Sequence, residues 1–321
     1  MDRRSFLAGS ASLGLATAAQ AQSYPTRTIK VIVPFAAGGP TDFIMRLLVD
    51  PMGAKLRQTV IVENRPGAAG NIGAAAVAQG DADGYTLVHA TVAMMAVNPL
   101  LYPGNFSPSR DLVTIGTTAS LPNVLIVNPK VVDAASVADL VALAKRKPGG
   151  MTYGTFGPGS SPHITGALFQ KLTGIEATPV VYRGSSQAIT DVIGGRIDFL
   201  FDSVTTSTEH ILAGTVRGLG ITAPERLGRL PSIPTMKEAG YSGFDLTFWL
   251  AVQAPSATPK AIVEQLRTVL IELTGSAEYA DALRLRGAEP LSVPADKLDA
   301  FVASESAKWA QAARDIGLKA S

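Results

Sequence analysis

From residue 27 onward, short apolar runs alternate with glycine-rich polar stretches and with segments whose apolar residues recur at helical spacing. Val31, Ile32 and Val33 form a β-branched run inside Arg27 to Phe35, as expected of a strand buried on both faces. The turn Ala36-Ala37-Gly38-Gly39-Pro40-Thr41-Asp42 follows, with Thr41 or Asp42 placed to cap a helix. That helix carries Phe43, Ile44, Leu47 and Leu48 on one side and is expected to stop at Pro51. The unit then recurs. Val60 to Glu63 reads as a strand, Pro66 to Gly80 as a glycine loop opening an alanine-rich helix, and Tyr85 to Ala90 as a strand. Met151 to Gly154 is a strand that runs into Thr155 to Pro162, where Ser161 reads as the N-cap and Pro162 as the first helical residue. Pro179 to Tyr182 is a strand, Arg183 to Ser186 a loop and Gln187 to Ile193 a helix. Ile197 to Phe201 is a further strand, ending in Asp202, Ser203 and the hydroxyl-rich Thr205 to Thr208. Lys260 to Leu273 and Ala295 to Ile316 read as amphipathic helices, with Trp309 as a core anchor.

Strands alternating with helices predict an α/β fold built on parallel-type sheets flanked by helices. In open sheets of this kind ligands bind at strand C-ends, which is where the glycine and hydroxyl loops fall. One set of loops lies before residue 122 and another after residue 150, so two lobes are expected in a chain of 321 residues. The apolar runs Asn123 to Asn128 and Phe248 to Val252 are expected to cross between them. The division predicted is 22–122 plus 250–321 for the first lobe and 123–249 for the second.

The first 21 residues differ in character from the rest. Arg3 and Arg4 precede a weakly apolar, glycine- and alanine-rich stretch that ends in Ala19-Gln20-Ala21, a small-x-small cleavage pattern. Arg3-Arg4-Ser5-Phe6-Leu7 fits a twin-arginine export signal, with an ordinary secretory signal as the alternative. Either route leads to the periplasm, with cleavage near Ala21. No later segment approaches the ~18 uninterrupted apolar residues of a membrane span.

Charge and chemistry narrow the function. The net charge of +2 carries no basic stripe, which argues against nucleic acid as a partner. Without cysteine there is no disulfide, thiolate metal site or thiol nucleophile, and the three histidines have no paired ligand spacing. No metal or cofactor is therefore expected. Nucleophile-elbow, dinucleotide, Walker and zincin motifs are all missing, so no catalytic residue is assigned. An exported hydrolase with a spatially assembled serine triad is the rival reading. The loops instead offer glycine amides and hydroxyls, and helix N-termini bind anions without a formal positive charge. Three charged loop residues have two readings each. Asp42 is a helix cap or a ligand contact. Asp202 is a buried network organiser or the receptor of a ligand hydroxyl or amine. Arg183 is a partner for a ligand carboxylate or a solvent-facing loop residue.

The segments Val33 to Asp42, Val62 to Ala74, Asp83 to Leu87, Asn98 to Tyr102, Phe156 to His163, Tyr182 to Asp202 and Leu230 to Gly240 together resemble the Bug family, the receptors of tripartite tricarboxylate transporters. The resemblance spans the chain after its leader. It implies a type II, two-lobed periplasmic-binding-protein fold with two crossover strands and a small organic acid as ligand. It also implies a receptor that hands its ligand to membrane permease subunits, or, as an orphan receptor, presents it to a sensor kinase; with no coiled coil or repeated apolar face in the sequence, a monomer is expected. By motif match the ligand-binding residues are Phe35, Ala36, Gly38, Gly39, Thr41, Asp42 and Thr91 in the first lobe. In the second they are Thr155, Phe156, Ser160, Ser161, Tyr182, Arg183, Gly184, Ser185 and Asp202. Phe156, Met95 and Arg183 depart from the family pattern. Phe156 with Phe35 and Tyr182 would supply aromatic faces to a planar carboxylate, unless Phe156 packs inside its own lobe.

Overall fold

The computed structural model describes residues 24–318 apart from 103, 105 and 245, so the leader lies outside the described residues. The chain opens with β1 (Ile29–Val33), α1 (Pro40–Leu56), β2 (Val60–Asn64), α2 (Asn71–Ala78) and β3 (Thr86–Thr91). Short helices α3 (Val92–Ala96), α4 (Asn98–Leu101) and α5 (Pro108–Asp111) lead to the long strand β4 (Leu112–Leu121). Then come β5 (Asn123–Val127), α6 (Val137–Arg146), β6 (Met151–Thr155), α7 (Ser161–Thr173), β7 (Ala177–Val181), α8 (Ser185–Ile193), β8 (Phe199–Ser203), α9 (Val204–Leu212) and β9 (Arg217–Ile221). The chain returns through β10 (Phe248–Pro255), α10 (Lys260–Thr274), α11 (Ala277–Arg284), β11 (Glu289–Pro290) and α12 (Ala295–Asp315).

Two sheets result, ordered β11-β4-β10-β3-β1-β2 and β7-β6-β8-β5-β9. The β-branched run of β1 sits between β2 and β3, parallel to both, with Val31 opposite Val62 and Leu87. In the second sheet the expected burial of both faces is explicit. Val124 and Ile126 of β5 join one core, while Leu125 and Val127 join the other, as period-2 alternation requires. The core on the Leu125 and Val127 face holds an aromatic cluster: Phe169 of α7 meets Phe199 and Phe201 of β8 edge-on at 5.9 and 5.5 Å.

The sheets are mixed rather than wholly parallel. β10 is antiparallel to β3 and β4, and β5 is antiparallel to β8 and β9. The reason lies in the connections. β1, β3, β6 and β8 all run toward the face between the lobes, so a strand entering a lobe from that face must run the other way. β5 and β10 are those strands. Neither spans the lobes itself, contrary to the sequence expectation: β5 lies within the second sheet and β10 within the first. The chain passes between sheets at Pro122 and again in the segment from Thr222 to Thr247.

Two local expectations are also corrected. α1 continues through Pro51 because Met52 and Leu56 beyond it are buried in the core; it ends at Arg57, whose left-handed backbone (φ 54°) returns its N–H to the Gly53 carbonyl. The extended N-cap of α7 is Ser160, not Ser161. The Ser160 hydroxyl accepts from the Phe156 N–H at 3.1 Å and donates to the Gly157 carbonyl at 2.7 Å, bracing the loop before the helix.

Candidate functional site

The loops after β1, β3, β6, β7 and β8 converge between the lobes on a narrow cavity with about 530 Å³ of empty space, part of it open to solvent. The first lobe supplies Phe35, Ala36, Gly39, Pro40, Thr41, Ala69, Thr91, Ala93 and Phe248. The second supplies Asn123, Phe156, Ser160, Ser161, Pro162, Gly184, Ser185 and Ser203. Among the described residues no lysine, arginine, histidine or carboxylate lines this space. Its polarity comes from hydroxyls, Asn123 and the first turns of α1, α7 and α8, whose N–H groups have no intrahelical acceptor. Three helix N-termini facing one small volume make it attractive to an anion.

The lobes are in contact around this cavity. The Ser186 hydroxyl donates to the Ala37 carbonyl at 3.4 Å, and the Tyr102 hydroxyl donates to the Pro158 carbonyl at 3.4 Å. Gly159, with φ +82°, lies so close to the first lobe that a methyl group on it would come within 2.7 Å of Leu101 Cδ1.

A second layer of polar side chains shapes the lining without joining it. Asp42 is 3% exposed and points back into its own turn. It accepts from the Gly38 N–H and Arg46 Nε at 2.9 Å each and from Asn64 Nδ2 at 3.0 Å. Burial alone would raise its carboxyl pKa, but these bonds outweigh burial and hold it below the usual value. Asp202 is fully buried at the end of β8, where it accepts hydroxyl protons from Ser185 (2.5 Å), Thr206 (2.5 Å) and Ser207 (2.8 Å). Burial raises its pKa, and the three hydroxyls only partly offset that. Each carboxylate is thus an organiser of loop geometry. His89 lies beneath α1 with Nδ1 3.0 Å from the Thr41 carbonyl and Nε2 2.9 Å from the Thr118 hydroxyl. The carbonyl can only accept, so Nδ1 carries the proton and Nε2 accepts. Burial lowers the His89 pKa to about 4, which keeps the ring neutral.

Of the sixteen residues expected from sequence, ten line the cavity: Phe35, Ala36, Gly39, Thr41, Thr91, Phe156, Ser160, Ser161, Gly184 and Ser185. Asp42, Thr155 and Asp202 are buried outside the lining, Gly38 is exposed beside Ser186 of the second lobe, and Tyr182 and Arg183 lie in a wider groove outside. Tyr182 donates its hydroxyl to Asp191 at 2.9 Å and, chiefly through burial, has its pKa pushed up to about 12. Phe156 packs on a core of its own lobe and also lines the cavity. Sequence reasoning missed Pro40, Ala69, Ala93, Asn123, Pro162, Ser203 and Phe248 as lining residues. Asn123 carried a signal, as a polar residue opening an apolar run; its amide donates to Ser161 Oγ at 2.7 Å and Thr165 Oγ1 at 3.2 Å. Ala69 carried none, because it reaches the cavity through a left-handed backbone (φ 50°) that alanine does not announce.

The family model for the tripartite tricarboxylate transporter family receptor, TctC, matches residues 44–318. The chain belongs to this receptor family. It is 36% identical over 311 residues to the protein BugT of Bordetella pertussis, covering 96% of this chain and 95% of BugT. Among solved structures, an R. palustris protein with adipate is 35% identical with a TM-score of 0.88, covering 93% of this chain and 100% of its own. MatC from Rhodopseudomonas palustris, with bound malate, is 26% identical with a TM-score of 0.83, covering 90% of this chain and 99% of its own. TctC-type receptors are periplasmic solute-binding proteins rather than enzymes, and their two-lobed α/β fold is the one described above. His163 Nδ1 accepts from the Gly159 N–H at 3.2 Å and His210 contacts Thr215, so none of the three histidine rings is hydrogen-bonded to a serine or a carboxylate among the described residues.

Proposed function

We propose that this TctC-type receptor captures a small organic acid with a flat or aromatic body and delivers it to the permease subunits of a tripartite tricarboxylate transporter. The observation that carries the reading is a cavity lined by no charged side chain among the described residues, onto which three helix N-termini open and which Phe35, Phe156 and Phe248 wall. Amide dipoles stabilise a carboxylate there without an opposing formal charge, so the anion is held but can be released. The phenyl rings favour an apolar body over the three charged arms of citrate. The adipate- and malate-bound relatives support the carboxylate class. Closure follows as a population shift, because only the closed form offers the ligand both half-sites. In this reading the ligand-binding set is the ten lining residues expected from sequence together with Asn123, and the leader is removed near Ala21 on the way to the periplasm.

A thermal-shift screen of residues 22–321 tests the reading with aromatic and aliphatic mono-, di- and tricarboxylates and their methyl esters. Free acids are expected to raise the melting temperature, by the equivalent of about 2.7 kcal/mol at a hundredfold excess over Kd. Aromatic acids should act at lower concentration than citrate. Esters that shift the transition as far as their acids would overturn the anion site, and citrate outranking every aromatic acid would overturn the flat-ligand preference.

A further inference from the structure

Away from the inner cavity, a groove with about 650 Å³ open to water-sized molecules runs along α12 on the first lobe. α12 supplies two rows of residues four apart, Asp299-Ala303-Ala307 and Val302-Ser306-Ala310, which share one face of the helix. The small side chains in these rows leave room between α12 and the elements opposite, α3, α5, β4 and β10. Among the described residues none from the second lobe lines the groove, so the site needs no contact between lobes.

Two hydrogen-bond acceptors in this groove lack partners. Gln253 of β10 is 3% exposed and lines the groove together with Thr114 of β4. Its Nε2 donates to the Thr114 hydroxyl at 3.0 Å, which leaves Oε1 buried with no hydrogen-bond partner among the described residues. A buried acceptor left unmatched is costly, and folded proteins keep few of them. Asp299 is exposed at the mouth of the groove, and its carboxylate has no ion-pair or hydrogen-bond partner among the described residues. Arg110 also lines the groove, but its guanidinium is engaged by both carboxylate oxygens of Asp111, at 2.7 and 2.8 Å. The unmatched groups are thus one neutral acceptor and one anion, and both call for donors. Met95 and Ala96 of α3 and Val302 and Ala303 of α12 supply an apolar surface beside them.

We propose that this groove is a second ligand site, which takes a small organic ammonium ion with an apolar body. An N–H of the ion donates to Gln253 Oε1, Asp299 balances its charge, and its body covers the apolar wall. The class is opposite in sign to the carboxylate of the inner cavity, and the proposal does not rest on that reading.

The test titrates benzylamine, benzyl alcohol and benzyltrimethylammonium into residues 22–321 by isothermal calorimetry. Benzylamine carries a charge and donors, benzyl alcohol a donor alone, and benzyltrimethylammonium a charge alone. Benzylamine is expected to bind about fivefold or more tightly than either analogue. Asp299→Asn should weaken benzylamine about three- to fivefold and benzyl alcohol less than about twofold. Gln253→Met should weaken both donors about tenfold and leave benzyltrimethylammonium unchanged. High salt should shrink the advantage of benzylamine over benzyl alcohol. Asp299 and Ala307 are exposed, so Asp299→Asn and the groove-filling Ala307→Phe carry the test if Gln253→Met does not fold. The proposal is overturned if the wild type binds none of the three compounds, or if benzyltrimethylammonium binds as tightly as benzylamine. It is also overturned if either Asp299→Asn or Ala307→Phe leaves the affinity for benzylamine unchanged. None of these results bears on the carboxylate reading.

Discussion

His89 shows how one buried side chain couples the binding loop to pH. Its ring joins the Thr41 carbonyl in α1 to the Thr118 hydroxyl in β4, and so ties the first turn of α1 to the sheet. Burial holds its pKa near 4, against 6.5 for the free side chain. The unfolded chain therefore binds a proton that the folded chain refuses, so stability is full above pH 6.5 and falls as the pH drops toward 4. The shift corresponds to about 3 kcal/mol. Asp42, with a lowered pKa, loses stability only at more acid pH, as its carboxylate is protonated. Asp202, with a raised pKa, acts in the opposite sense, destabilising as the pH rises through its folded value. His89→Gln keeps a donor and an acceptor but does not titrate. Urea unfolding of this variant between pH 4 and 7 should therefore show a flatter profile than the wild type, and equal slopes would remove His89 as the source.

The helices of the second lobe are positioned by contacts that helix propensity does not report. Gly166 lies mid-way along α7, where glycine costs about 1 kcal/mol relative to alanine in an isolated helix. Its place is set by Tyr153 of β6, whose Cε2 would lie 2.2 Å from a methyl group at residue 166. α7 rests directly on that ring, which stacks in turn on Phe199 at a centroid distance of 5.4 Å. Gly166→Ala is thus expected to destabilise by about 1–3 kcal/mol, against the direction of propensity. A higher urea midpoint for the variant would show that the helix packs less closely than described. The change should also weaken ligand binding, because α7 carries Ser160 and Ser161 at its cavity end.

For the molecule as a whole, the decisive property is that the two lobes touch around the cavity. Gly159 sits at this seam in a left-handed conformation with Leu101 of the first lobe against it. Gly159→Val adds side-chain bulk at a point where even a methyl group is too close, and adds backbone strain. The closed form is expected to be disfavoured while each lobe keeps its own core. Small-angle scattering with saturating ligand should give a larger radius of gyration than the wild type, and affinity should fall at least about tenfold, the penalty for drawing on a scarcer competent state. An unchanged affinity would mean that closure here is not required for binding.

Sequence by itself determined the local units of this protein. β-branched runs such as Val31 to Val33, the glycine turn before α1 and Pro162 at the head of α7 act through neighbours a few residues away, so their outcome can be read along the chain. For the same reason most of the cavity lining was legible, since strand C-ends place their loops on one side of a sheet whatever the rest of the chain does. Only the tertiary structure decided what depends on partners distant in sequence. Strand direction in β5 and β10 follows from the face by which the chain enters each lobe. Asp42 and Asp202 stay out of the lining because donors in their own turns and neighbouring strands, Arg46 and Asn64 for one and Thr206 and Ser207 for the other, hold their carboxylates. Asn123 and Phe248 line the site because the chain passes between the lobes beside them, and Ala69 because its loop bends inward. The free energy of a buried carboxylate or ring is set by whatever surrounds it, and those surroundings come into being only when the lobes pack.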